Sequence, residues 1–200
     1  LGSRGLGDVY KRQVFFRGAS GTGKELAARA LCESADSPAG KFNVINCAAL
    51  PDYSLAGEIF GYEKDSLSLG VSAKEGLLEK YPNSAFFFDE VTEIALPAQR
   101  MIADFLSVGR FRRLNGSEEI PAKARMIFAS SADVEKLLEQ KLFDENLYAA
   151  ISQNMIYLPA LRDRKSDILL LAEHFVEKYS KIHRKDIRRI STPAINTVSY

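Results

Sequence analysis

The stretch that decides the fold of this chain is Gly18-Ala19-Ser20-Gly21-Thr22-Gly23-Lys24-Glu25, which matches the phosphate-binding P-loop pattern. It follows a short apolar run at Gln13 to Arg17 that predicts a buried strand, and it precedes a segment with apolar residues at helical spacing. The glycines let backbone N–H groups close around phosphate oxygens, and the N-terminus of the following helix adds favourable partial charge. Lys24 is placed to reach the β- and γ-phosphates. We therefore expect these eight residues to bind ATP with magnesium, although Glu25 replaces the hydroxyl residue that usually ligates the metal.

A second motif, this one acidic, follows the P-loop by about sixty-five residues. It is Ala85-Phe86-Phe87-Phe88-Asp89-Glu90. It is an apolar strand that ends in two carboxylates, which is the Walker B arrangement. Asp89 is predicted to hold magnesium, often through water, and Glu90 to polarise the attacking water. An acidic strand end alone is a weak signal, but its pairing with a P-loop makes it a strong one.

Strands alternate with helices along the chain, which predicts an α/β fold with a parallel sheet sandwiched by helices. Residues 1–12 lack any period and are predicted to be a non-native leader. Residues 13–158 are predicted to form the nucleotide-binding α/β subdomain, and residues 159–200 part of a helical subdomain of a longer chain. Within the first, Glu75 to Lys80 is predicted as a helix, and Arg110 to Ile120 as a hairpin that turns at Asn115-Gly116.

The composition is that of an ordinary globular domain. The chain has 200 residues, 46% hydrophobic and 26% charged, and a formal net charge of +1, so no bulk attraction to nucleic acid or membrane is expected. No apolar run reaches the ~18 residues of a membrane-spanning helix, and no signal peptide is visible. Cys32 and Cys47 lack metal-ligand spacing and predict buried thiols in a reducing cytoplasm. His174 and His183 are expected on a helix surface.

Several longer motifs occur in an order that resembles one known family, the AAA+ domain of bacterial enhancer-binding proteins, which are sigma-54-dependent transcriptional activators. The resemblance covers roughly Val14 to Tyr200. It rests on the P-loop together with Asn46-Cys47-Ala48-Ala49-Leu50, Glu58-Ile59-Phe60-Gly61-Tyr62-Glu63-Lys64, Phe88-Asp89-Glu90 and Leu158-Pro159-Ala160-Leu161-Arg162-Asp163-Arg164.

The resemblance implies an AAA+ P-loop NTPase followed by a truncated helical lid. It also implies a homo-oligomeric ring ATPase that acts on RNA polymerase holoenzyme to open promoter complexes. Glu25 is usual in that family, and Asn46 matches the asparagine that switches the Walker B glutamate. DNA binding would require a separate helix-turn-helix domain, which is not visible in this sequence.

One loop departs from the family pattern. After Phe60-Gly61-Tyr62-Glu63-Lys64 the family reads Gly-Ala-Phe-Thr-Gly-Ala, whereas this chain reads Asp65-Ser66-Leu67-Ser68-Leu69-Gly70. Leu67 takes the place of the aromatic residue that touches the sigma factor. Leu69 takes the place of a hinge glycine, whose positive φ angles leucine does not adopt freely. We therefore expect contact with sigma-54 to be impaired.

The residues that the family uses for hydrolysis also depart from its pattern. The sensor I asparagine falls on Ser131, and the two arginines that a neighbouring subunit inserts fall on Asp144 and Ala150. An arginine finger contributes ~10³-fold or more to the rate. Together with the retained P-loop, these changes predict an atypical member that binds nucleotide but hydrolyses it poorly.

Three functions compete on the sequence alone. We favour a nucleotide-binding regulatory module over an active ATPase that remodels the sigma-54 holoenzyme, which Glu90 and Asn46 would support. The third reading, a P-loop kinase or other transferase, is disfavoured by the motifs Asn46 to Leu50 and Leu158 to Arg164.

Overall fold

The structure, a computed structural model, describes residues 13–34, 41–49, 52–66, 70–187 and 190–191. The predicted leader at 1–12, the loop residues Leu67 and Leu69, and residue Leu50 lie outside the described residues. By its internal contacts the chain divides into two units, Leu1–Tyr157 and Leu158–Tyr200.

The first unit contains the strands and most of the helices. In chain order these are β1 (Val14–Arg17), α1 (Lys24–Ser34), β2 (Phe42–Asn46), α2 (Asp52–Phe60), β3 (Gly61–Tyr62), β4 (Lys74–Glu75), α3 (Leu77–Lys80), β5 (Ala85–Asp89), α4 (Leu96–Val108), β6 (Arg110–Phe111), β7 (Ile120–Pro121), β8 (Arg125–Ser130), α5 (Val134–Glu139), α6 (Glu145–Ile151) and β9 (Met155–Tyr157).

Five strands form one parallel sheet in the order β2-β5-β8-β1-β9. The predicted α/β fold with a parallel sheet is therefore confirmed. Because all five strands run the same way, their carboxyl ends meet at one edge of the sheet. The pairing places Asn46 of β2 beside Asp89 of β5, and Arg17 of β1 beside Ser130 of β8.

The core fills both faces of this sheet, as expected for parallel strands covered by helices. Phe86, Phe87 and Phe88 of β5 are fully buried. Successive side chains of a strand point to opposite faces. Phe88 stacks on Phe128 with ring centroids 5.2 Å apart, while Phe87 packs against Phe42 at 6.2 Å. The core cluster that contains Phe86 and Phe88 also includes side chains of α2 and α4, among them Leu55, Ile59, Ile102 and Leu106.

The helix predicted at Glu75 to Lys80 is partly wrong. Glu75 lies in β4 and pairs with Gly61 of β3, and the helix begins only at Leu77. Gly76 separates the two elements because a Cβ atom there would lie 2.4 Å from both Gly61 N and Ile59 O. The close approach of the β3 backbone therefore overrides the local helical pattern.

The predicted hairpin is also shorter than its sequence pattern. Only Arg110 to Phe111 of β6 pairs with Ile120 to Pro121 of β7. Leu114, which the pattern assigned to the hairpin, instead bonds with the segment after α2: Leu114 N donates to Gly61 O at 2.9 Å, and Glu63 N donates to Leu114 O at 3.1 Å.

The second unit contains a 3₁₀ turn at Leu161–Asp163 and the helix α7 (Lys165–His183). Ile168 is buried, whereas Phe175 and Tyr179 are exposed and stack on one another with ring centroids 6.2 Å apart. Among the helices of the described residues, none is long and apolar enough to cross a membrane.

Candidate nucleotide-binding site

The predicted P-loop joins the carboxyl end of β1 to the N-terminus of α1, which begins at Lys24. Gly21 has φ 78° and Gly23 has φ 93°, values that side chains with a Cβ rarely adopt. Thr22 closes the loop on itself, since both its N–H and its hydroxyl donate to Ala19 O, at 3.3 and 2.9 Å. The loop therefore has the curved backbone that can surround a phosphate.

Lys24 lies inside this loop with only 6% of its side chain exposed. Its Nζ donates to Gly18 O at 3.0 Å and to Ala19 O at 3.3 Å. The same ammonium lies 3.6 Å from Glu90 Oε1. The P-loop lysine and the Walker B glutamate are thus brought together from positions far apart in the chain.

The two predicted acids stand where β5 ends. Burial raises the pKa of Asp89, and the neighbouring Glu90 carboxylate raises it further, while the Lys24 ammonium acts in the opposite direction. Glu90 itself has a left-handed backbone, with φ 55° and ψ 58°, which glutamate adopts only uncommonly. Its Oε2 accepts a hydrogen bond from Ser131 N–H at 2.8 Å. Glu90 therefore contacts both the P-loop lysine and the segment after β8.

Asn46 lies beside Asp89 through the pairing of β2 with β5, but it also has a local contact. Its Oδ1 accepts from Ala48 N–H at 3.1 Å, which caps the 3₁₀ turn at Cys47–Ala49. Cys47 is buried within the same region. Burial, together with the negative charges of Asp89 and Glu90, raises the pKa of its thiol to about 12. That thiol is therefore a structural group rather than a nucleophile.

Ser130 is a site residue that sequence reasoning missed. It is fully buried at the end of β8, and its carbonyl accepts from Gly18 N–H at 3.3 Å. Its hydroxyl lies 3.1 Å from Thr92 Oγ1 and accepts from Ala132 N–H at 3.0 Å. Ser130 thus ties the entrance of the P-loop to the turn after the acid pair. Ser130 could be recognised as a site residue only from the pairing of β1 with β8, and the spacing of residues along the sequence does not reveal that pairing.

The similarity of the chain to known proteins agrees with this geometry. A protein-family model described as the sigma-54 interaction domain matches residues 8–157. The chain belongs to the sigma-54 interaction domain family. The match begins inside the segment predicted as a leader, and the boundary at residue 12 stays a prediction.

Relatives of this sigma-54 interaction domain are bacterial regulators. The regulatory protein AtoC of Escherichia coli (strain K12) is 35% identical over 191 residues, which are 96% of this chain and 41% of AtoC. A Nif-specific regulatory protein of Bradyrhizobium diazoefficiens is 39% identical over 167 residues, 84% of this chain and 29% of that protein. The chain therefore spans less than half of the length of these relatives.

Solved structures of NtrX from Brucella abortus share the fold. The complex with ADP has a TM-score of 0.83 at 24% identity and covers 100% of this chain and 46% of NtrX. The complex with ATP has a TM-score of 0.79 at 26% identity and covers 96% of this chain and 44% of NtrX. The fold of this sigma-54 interaction domain is thus that of AAA+ proteins.

Magnesium is the metal that nucleotide binding in this fold implies. Within the described part of the chain, no group of three His, Cys, Asp or Glu side chains could hold a metal ion by itself. Magnesium commonly needs only one or two carboxylates when phosphates supply the other ligands. Asp89, half-buried at the end of β5 and within the electrostatic reach of Lys24, fits that role. Glu25 is held on the helix surface by Arg29, whose Nη2 donates to its Oε1 at 2.9 Å.

The resemblance assigns the family's two arginines to Asp144 and Ala150, both of which belong to the α6 region of this sigma-54 interaction domain. Asp144 is the N-cap of α6, and its Oδ1 accepts from Asn146 N–H and Leu147 N–H, both at 3.0 Å. Its own N–H donates to Gln99 Oε1 at 2.7 Å. Ala150 lies on the same helix and is 8% exposed.

The loop to which the resemblance assigns the sigma contact is described only at its base. Asp65 N–H donates to Val71 O at 2.9 Å, and Gly70 N–H donates to Asp65 Oδ1 at 2.6 Å. Ser66 Oγ donates to Leu114 O at 3.1 Å, which joins this base to the hairpin β6–β7. Leu67 and Leu69, where the departures from the family lie, belong to residues outside the described part.

Proposed function

We propose that this chain is the ATP-binding AAA+ module of a cytoplasmic bacterial transcriptional regulator that binds ATP with magnesium, hydrolyses it slowly and holds sigma-54 weakly. The regulator acts on RNA polymerase holoenzyme, assembles as a homo-oligomer and binds DNA through a separate domain. The observation that supports this function most directly is the meeting of Lys24, Asp89 and Glu90 at the open end of the P-loop.

Nucleotide binding follows from the chemistry of that meeting point. The start of α1 and the N–H groups of the P-loop provide a positive environment for phosphate oxygens. The N–H groups of Gly18 and Thr22 are not among them, because they donate to Ser130 O and Ala19 O. Lys24 adds a full charge in a place where water is largely excluded, which strengthens its attraction for phosphate. Magnesium supplies charge neutralisation of the phosphates when bound, and Asp89 is the residue that would hold it. The relative NtrX has been crystallised with ADP and with ATP.

The proposal of slow hydrolysis rests on the residues at positions 144 and 150, neither of which is an arginine. Phosphoryl transfer spreads negative charge over the equatorial oxygens, and an arginine from a neighbouring subunit stabilises that charge. Here Asp144 offers a carboxylate that is committed to capping α6, and Ala150 offers no charge. Glu90 and Asn46 are both retained at the ends of neighbouring strands, so we expect residual rather than zero turnover.

The second candidate function is an active ATPase that remodels the sigma-54 holoenzyme. Family membership favours it, since relatives such as AtoC are regulatory proteins of the same family. The Glu90 carboxylate beside Lys24 also favours it, because that acid is the group that would polarise the attacking water. Steady-state turnover of the full-length protein separates the two candidates: a rate near background supports the first, and a rate that rises with protein concentration supports the second.

Nucleotide binding is tested by replacing Lys24. We expect Lys24→Ala to weaken ATP binding at least tenfold, because a charge-assisted hydrogen bond contributes roughly 1.5–3 kcal/mol. Lys123→Ala is the matched control, since it removes the same charge from an exposed position before β8, at the opposite edge of the sheet. Equal affinity of wild type and Lys24→Ala would overturn the proposed binding site.

A further inference from the structure

A cavity of about 590 Å³ is lined by residues of α4 and of the hairpin β6–β7. Three buried phenylalanines form its apolar wall, in which the ring centroid of Phe111 lies 5.8 Å from that of Phe60 and 6.1 Å from that of Phe105. Among the described residues, those that line this cavity include none from the P-loop or from the end of β5. Cavities of this size with an apolar lining and a few polar groups are typical sites for small organic ligands.

Two arginine side chains line the same cavity. Arg112 Nη2 donates to Glu119 Oε1 at 2.7 Å, and Arg110 Nη1 lies 3.6 Å from Glu119 Oε2. The Arg110 side chain is 60% exposed and that of Arg112 is 57% exposed. Two guanidinium groups therefore share one carboxylate, and the three side chains together keep a positive charge that can attract an anion.

Two further charged residues line the cavity, and they restrict what it can hold. Arg113 is already engaged by a carboxylate, because its Nε donates to Glu79 Oε2 at 2.9 Å and its Nη2 to Glu79 Oε1 at 2.6 Å. Asp104 adds a negative charge, which repels any second anionic group on a ligand. The charges of the cavity therefore favour a ligand with one negative charge over a ligand with two.

We propose that this cavity binds a small organic acid that has a flat apolar body and a single carboxylate. The planar guanidinium of Arg110 offers paired N–H donors that match the two oxygens of a carboxylate, and Arg112 adds a second positive charge. The phenylalanine wall receives the apolar body, because aromatic groups pack favourably against such rings. This binding goes beyond the proposed nucleotide function and does not depend on it.

The test measures the binding of naphthoate to the full-length protein by calorimetry, with naphthalenemethanol and naphthalene dicarboxylate as comparison compounds. We expect saturable binding of naphthoate and at least tenfold weaker binding of the alcohol, which lacks the charge, and of the dicarboxylate, which Asp104 repels. The double variant Arg110→Gln, Arg112→Gln should bind naphthoate at least tenfold more weakly than wild type, because it loses the charge-assisted hydrogen bonds.

A second variant changes the affinity in the opposite direction. Glu119→Gln removes the carboxylate that competes for both arginines, so we expect naphthoate to bind several-fold more tightly, a gain that misfolding cannot produce. Arg100→Gln is the matched control, because it removes a guanidinium group from an exposed position on α4 outside the cavity. We expect this control to leave the affinity for naphthoate unchanged.

Four results would overturn the inference. The first is that wild type does not bind naphthoate saturably, and the second is that it binds the alcohol equally well. The third is that Arg100→Gln weakens binding as much as the double variant does, which would reduce the effect to general charge. The fourth is displacement of naphthoate by a non-hydrolysable ATP analogue with magnesium, which would place naphthoate in the nucleotide site instead of this cavity.

Discussion

Restoring both arginines tests the proposed defect in hydrolysis. We expect the double variant Asp144→Arg, Ala150→Arg to raise ATP turnover by ~10³-fold, because that is the contribution of an arginine finger, corresponding to ~4 kcal/mol of transition-state stabilisation. ATP affinity should change little, since the guanidinium acts on charge that develops as the γ-phosphate leaves.

The structure also predicts a cost. Asp144 Oδ1 accepts the first free N–H groups of α6, and loss of such an N-cap lowers the free energy of unfolding by about 1 kcal/mol. An arginine at 144 would also face Arg100, whose Nε lies 3.6 Å from Asp144 Oδ2. In a domain of this size a loss of about 1 kcal/mol lowers the melting temperature by about 2–4 °C.

Ala150 belongs to the buried core cluster, so a larger side chain there needs a way out of it. It borders a recess of about 570 Å³ whose other lining residues are Ala103, Asp104, Ser107, Asn146, Ala149 and Gln153. An arginine at 150 can therefore leave the helix through this recess instead of entering the core. We expect Ala150→Arg alone to be much less destabilising than a charge placed among the buried phenylalanines.

The assay is phosphate release by full-length protein over a range of protein concentrations. Asp144→Asn is the matched control, because asparagine caps a helix as well as aspartate and differs from it only in charge. We expect that control to keep the wild-type melting temperature and to change turnover only slightly. Brisk, concentration-dependent hydrolysis by the wild type would refute the reasoning. If wild-type turnover is low and the double variant leaves it flat, the defect lies elsewhere, with Ser131 or subunit packing the next position to change.

Three further predictions concern the partner, a thiol and a charge pair. In a pull-down with an ATP transition-state analogue, the wild-type protein should not retain sigma-54. A variant that carries the family sequence Gly-Ala-Phe-Thr-Gly-Ala at positions 65–70 should retain more of it. A stable complex of the wild type with sigma-54 would contradict the proposed weak contact. In a Cys32→Ser variant at pH 8, the Cys47 thiol should react with a thiol reagent about a thousandfold more slowly in the native than in the unfolded protein. The reason is that its pKa of about 12 leaves almost no thiolate in the native protein. Native and unfolded rates within tenfold of each other would contradict this prediction. Arg17 holds the pKa of Glu135 below its usual value, so this contact stabilises the fold above pH ~4.3 and is lost as pH falls through the lower folded pKa. Urea unfolding should therefore show Glu135→Gln less stable by up to about 1 kcal/mol at pH 7, but equal to wild type well below pH 4; the same difference at both pH values would exclude the contact as its cause.

The sequence alone was sufficient for the parts of the site that are built locally. The P-loop requires positive φ angles at Gly21 and Gly23, and the pattern of glycines before a lysine and a helix encodes them within a few residues. The buried strand before Asp89 is encoded in the same way by consecutive apolar residues. These signals were enough to predict the parallel α/β fold, which the sheet confirms.

Local signals failed where a distant backbone competed for the same residues. Glu75 had a helical pattern, but the approach of Gly61 drew it into a strand. Leu114 had a hairpin pattern, but its backbone pairs with the segment after α2.

The tertiary structure alone decided which site residues touch. The strand order β2-β5-β8-β1-β9 sets Asn46 beside Asp89, Gly18 against Ser130, and Glu90 between Lys24 and Ser131. That order is not written in any short stretch of sequence, because it depends on how whole strands and helices bury their apolar faces against one another. The sequence determined which groups could bind a phosphate, and the packing of the sheet determined that the Glu90 carboxylate lies against the Lys24 ammonium.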